Sequence, residues 1–82
     1  MPATDSVSTI KPGTRVQFTD GPLGILHRHA LAFIEQTVGE GDEGTYARLD
    51  PVSGEHWHIV LVDIDGEQHD CPVHQSQFEV IS

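Results

Sequence analysis

Glu55 to Ser82 reads EHWHIVLVDIDGEQHDCPVHQSQFEVIS, and the middle of this stretch decides the fold. His58 to Ile64 is rich in β-branched residues and ends in Asp65-Gly66, a dipeptide that readily takes the positive φ angles of a type I′ turn. A hairpin with those two residues as its loop sets Ile64 opposite Glu67. The pairing then runs Asp63 with Gln68, Val62 with His69, Leu61 with Asp70, Val60 with Cys71 and His58 with Val73. Directly paired residues share a face. His58, Val60, Val62, His69, Cys71 and Val73 are therefore the expected core side, and Trp57, Ile59, Leu61, Gln68, Asp70, Pro72 and His74 the partly wet side. A one-residue bulge would exchange the two. After Pro72, the run His74-Gln75-Ser76-Gln77 has room for one helical turn, and Phe78 to Ile81 for a closing strand.

Upstream, Met1 to Ser8 is polar and aperiodic, the composition of a loose tail, so residues 9–82 are expected to form the one domain. Lys11-Pro12-Gly13 signals a turn, and Thr14 to Thr19 alternates around Val16 and Phe18 as a half-buried first strand. In Asp20 to Gly44, the residues Leu23, Leu26, Ala30, Phe33, Ile34 and Val38 fall at helical three-and-four spacing, with Asp20 as cap, Pro22 near the first turn and Gly39 as stop. A short helix around Leu26 to Thr37 fits that spacing. An extended arm across Leu31 to Val38 fits it equally, because short apolar runs are ambiguous by periodicity. Thr45 to Leu49 reads as the next strand, and Asp50-Pro51-Val52-Ser53-Gly54 as the turn into the hairpin.

The chain has 82 residues, which suits one small core; a domain of this size hides only about 60% of its unfolded surface. One Cys excludes an internal disulfide, and no signal peptide or long apolar run is present, so a soluble protein of the reducing cytoplasm is expected. Thirteen acidic residues against four basic ones give a formal charge of −9, which repels phosphate backbones and favours basic partners. The six His add sensitivity to mild acid.

Five short strands in this order bury their apolar faces best by closing into a small barrel. The arrangement resembles the SH3-like barrel over residues 10–82. In that comparison Asp20 to Gly44 is the long first loop, Asp50 to Gly54 the second, Asp65-Gly66 the distal turn and His74 to Gln77 the helical turn before the last strand. Glu43-Gly44-Thr45-Tyr46 and the Trp57 strand are similar to those of bacterial and phage barrels of the Tudor or KOW type. The first loop has no ALYDY-like motif and Trp57 has no Trp neighbour, so the resemblance implies the fold and not the binding of proline-rich peptides.

Three chemistries are open to these residues. His56, His58, His69 and Cys71 converge on one face in the proposed register, a donor set suited to Zn²⁺; the alternative is a small core Cys with hydrogen-bonded boundary histidines. Cys71 with His69 or His58 has the residue types of a nucleophile and base. A thiol inside a small barrel is inert, however, and no carboxylate has the apolar surroundings of a proton donor, so no enzyme activity and no cofactor are expected. Tyr46, Trp57, Pro72 and His74 form an aromatic patch that Glu40, Asp42, Glu43, Asp63, Asp65, Glu67 and Asp70 can ring with negative charge. These residues point to a non-catalytic acidic module that binds or inhibits a protein with a basic surface, for example one that normally holds nucleic acid. The alternatives are a metal-sensing domain on His58, His69 and Cys71, and an accessory domain of a larger enzyme or phage assembly.

Overall fold

Period-two burial organises the computed structural model, which describes residues 10–28, 32–50, 52, 54 and 56–81. Seven strands form one antiparallel sheet: β1 (Arg15–Phe18), β2 (Leu23–Leu26), β3 (Phe33–Val38), β4 (Glu43–Leu49), β5 (Trp57–Ile64), β6 (Glu67–His74) and β7 (Phe78–Val80). A single 3-10 turn, Gln75–Gln77, separates β6 from β7. The strand order is β3-β2-β6-β5-β4-β1-β7, so β3 and β7 are the edges.

This corrects the expected closed barrel of five strands. The sheet has seven strands and no ladder joins its edges among the described residues. The Asp20 to Gly44 segment is also not a loop with a helix, because β2 and β3 make a hairpin, with Leu23 opposite Val38 and Leu26 opposite Phe33. The physical reason is Ile25. The helical stripe passes over it, yet Ile25 is fully buried beside buried Leu23, with exposed Gly24 between them. Burial at every second residue is a strand pattern. Gly24 completes the hairpin, since a Cβ there would stand 2.9 Å from the Phe33 ring. Ala30 and Leu31, also on the expected stripe or arm, lie outside the described residues, as does the Met1 to Ser8 tail.

The β5–β6 hairpin has the register read from the sequence, from Ile64 opposite Glu67 through Ile59 opposite Pro72 and His58 opposite Val73 to Trp57 opposite His74. Asp65 has φ 53° and Gly66 φ 88°, the left-handed pair that a type I′ turn requires. Val60, Val62, Cys71 and Val73 join Val16, Phe18, Leu23, Ile25, Val38, Tyr46 and Phe78 in the core. Burying these apolar side chains is the main source of stability. Gly44 lets β4 cross close to β5, because a Cβ on it would meet Val60 Cγ1 at 2.5 Å and the Leu61 carbonyl oxygen at 2.8 Å.

Candidate functional site

The opposite face of the sheet carries the candidate site. Trp57, Ile59, Pro72 and His74 share that face by direct pairing, and the Leu26 pairs with Asp70 and Phe33 carry it across β2 to the edge. Between the two hairpins lies a groove of about 430 Å³, lined by Pro22, Leu23, Gly24, Leu26, Phe33, Trp57, Pro72 and Gln77. Its walls are mostly apolar, and Phe33 is 68% exposed. Large apolar side chains left in contact with water beside a groove favour a docking role.

One end of the groove is held by the 3-10 turn. His74 caps it through Nδ1, which accepts the Ser76 N–H at 3.2 Å and lies 2.9 Å from Ser76 Oγ. The Gln77 side chain accepts the His74 N–H at 3.0 Å in return, completing a capping box. This fixes the His74 ring edge-on to Trp57, with centroids 5.4 Å apart.

Of the residues expected to bind a partner, Trp57, Pro72 and His74 are brought together here, whereas Tyr46 is not. Tyr46 is 3% exposed, and its hydroxyl is hydrogen bonded to His58 Nδ1 at 3.0 Å inside the core. Burial raises the Tyr46 pKa. The acids are dispersed rather than arranged as a ring. Asp63, Asp65 and Glu67 sit at the tip of the β5–β6 hairpin, around Ile64, which is seven residues along β5 from Trp57, a distance of about 23 Å in an extended strand. Glu43 pairs with Arg15 at 3.3 Å. Asp42 accepts the Gly39 N–H at 2.8 Å in the turn that also carries Glu40 and packs beside Phe18 and Gly21, near the Pro22 end of the groove. Asp70 adjoins Leu26 and is 3.6 Å from Arg48.

The residues expected to bind zinc also part. His56 is exposed and its ring faces His74, with centroids 6.1 Å apart, while His58 is 1% exposed against Tyr46 and Phe78. The Cys71 thiol is fully buried, donates to the Gly24 carbonyl at 3.5 Å, and is pushed by desolvation up to about 12, so the thiolate that a metal or a nucleophilic role needs is disfavoured. A different trio, His27, Glu67 and His69, brings its ligand atoms within 4.8 Å of one another. There His69 Nδ1 accepts the Arg28 N–H at 3.2 Å, which puts the neutral ring's proton on Nε2, 3.5 Å from Glu67 Oε1. A metal would need the Nε2 lone pair while Nδ1 donated its proton, the reverse of this arrangement.

Pro22, Leu26, Phe33 and Gln77 were absent from the expected site. The signal for the first three was the alternation Leu23-Gly24-Ile25 behind a proline, which makes Leu26 a strand residue and its partner Phe33 a wall. Among protein-family models, curated proteins and solved structures, nothing matches this chain.

Proposed function

We propose that this chain is a non-catalytic interaction module that seats an apolar side chain of a positively charged protein in the groove between Trp57, Pro72, Leu26 and Phe33. The observation that carries this reading is an open apolar groove on a molecule of formal charge −9. Charge of that size accelerates encounter with a basic surface, and a buried aromatic anchor slows departure. The module regulates its partner by occupying the basic surface that would otherwise hold phosphates.

An SH3-like relationship is part of the same reading. It is supported by the run β7-β1-β4-β5-β6 within the sheet, with a 3-10 turn before the last strand and the β2–β3 hairpin in the place of the long first loop.

Selection from a random peptide library followed by titration tests the proposal. Enriched peptides should be cationic with at least one large apolar residue, and Trp57→Ala should weaken their binding roughly thirtyfold, the cost of losing an anchor worth about 2 kcal/mol. Equal affinity for wild type and Trp57→Ala, or affinity indifferent to ionic strength, would remove it.

A further inference from the structure

We propose that the hydrogen bond from the Arg28 N–H to His69 Nδ1 is a proton-operated latch that fastens the β2–β3 hairpin, and with it one wall of the groove, to β6. Leu23, Gly24, Leu26 and Phe33 all line the groove and all belong to that hairpin. Among the described residues, its polar attachment to β6 consists of the ladder pair Leu26 with Asp70, the Cys71 thiol on the Gly24 carbonyl and the Arg28 bond. The β5–β6 ladder, by contrast, runs the whole length of both strands.

His69 is suited to release such a bond because protonation acts oppositely on its two polar contacts, breaking the one to Arg28 and charging the one to Glu67. Nε2 carries a proton in both states and lies 3.5 Å from Glu67 Oε1. Nδ1 accepts from Arg28 only while the ring is neutral. An added proton there faces the Arg28 N–H donor to donor, and the bond is lost. The groups facing His69 are Glu67 on its own strand, the His27 ring at 4.8 Å and Arg28 itself on the segment after β2, and, across the β5 ladder, uncharged Val62. Glu67, on the same strand as His69, attracts the imidazolium on the side away from the Arg28 N–H. Acid favours the protonated ring, so the groove wall loosens as the pH falls. The effect on binding rests on the proposed groove function; the latch itself does not.

Amide exchange followed by NMR from about pH 7.5 to about pH 5 tests it without any partner. Relative to an unstructured peptide, protection of the Arg28 amide should fall at least about fivefold, the equivalent of one lost hydrogen bond. Its midpoint should coincide with the titration of the His69 ring protons, and the fall should exceed any at the Val60 and Cys71 amides, which report the stability of the whole core. In His69→Asn the Asn oxygen takes the place of Nδ1 and does not titrate, so Arg28 protection should be flat. Flat Arg28 protection in the wild type, an equal fall at Val60 and Cys71, or an unchanged fall in His69→Asn overturns the latch. The wild-type profiles decide alone if the variant does not fold. Affinity for a library-selected peptide should decline over the same range in the wild type only; absence of peptide binding at every pH removes the groove function and leaves the latch standing.

Discussion

His58 and Cys71 show how a residue with reactive chemistry becomes structural once its surroundings are fixed. His58 Nδ1 is bound by the Tyr46 hydroxyl, and its Nε2 is buried without a hydrogen-bond partner among the described residues. Tyr46→Phe would leave Nδ1 unsatisfied as well, so a loss of about 1–3 kcal/mol in urea unfolding is expected. The Cys71 thiol should resist a disulfide reagent at pH 8 in the native protein and react at once in denaturant, as follows from its burial and a pKa pushed up to about 12. Gly66 has φ 88°, so Gly66→Ala should cost about 1–2 kcal/mol through the left-handed strain of a Cβ. The Asp65-Gly66 corner was legible in the sequence because positive φ has a small vocabulary. The fate of Tyr46 was not, since a tyrosine ring serves core and surface alike and only the position of His58 decides between them.

At the scale of elements, the β5–β6 hairpin was readable down to its register, whereas the β2–β3 hairpin was not. Leu23, Leu26, Phe33, Ile34 and Val38 satisfy a helical stripe although two of them, Leu26 and Phe33, face the groove rather than the core. Strand and helix periods coincide often enough over a short segment that tertiary packing decides. Pro72 explains why the second hairpin is so lightly tied. Counting from the hydrogen-bonded pair that closes a two-residue turn, Ile59 with Pro72 is a non-hydrogen-bonded pair, which leaves the Pro72 nitrogen directed toward the β2 side with no proton to donate. Among the described residues, the ladder to β2 accordingly pairs at Asp70. The core face of the same hairpin makes stability depend on pH. Desolvation, then the neighbouring charges of His74 and His56, lower the His58 pKa in the folded state below its ordinary 6.5. The unfolded chain therefore takes up this proton first. The contribution of neutral His58 is complete above pH 6.5 and declines as the pH falls from there toward the folded-state value. Thermal melts between pH 8 and pH 5 should show Tm falling on the acid side, and His58→Phe should flatten that slope.

For the molecule as a whole, two faces of one sheet divide the work. The inner face holds the core with its buried histidines, and the outer face holds an apolar groove on a body whose formal charge is −9. The charge balance was plain from composition; the groove was not, because it exists only where two hairpins distant in sequence meet. Among the described residues, no helix is long and apolar enough to cross a membrane. Long-range attraction should be screened by salt while the apolar contact persists, so raising ionic strength from about 0.01 M to about 0.15 M should slow association more than it hastens release. Chemical-shift mapping of the labelled protein with a library-selected cationic peptide tests the central claim most directly. The largest changes should fall on the Trp57 indole, Leu26, Phe33 and Gln77, with Asp65 and Gly66 at the hairpin tip unmoved; changes centred on that tip, with a silent Trp57, would contradict it.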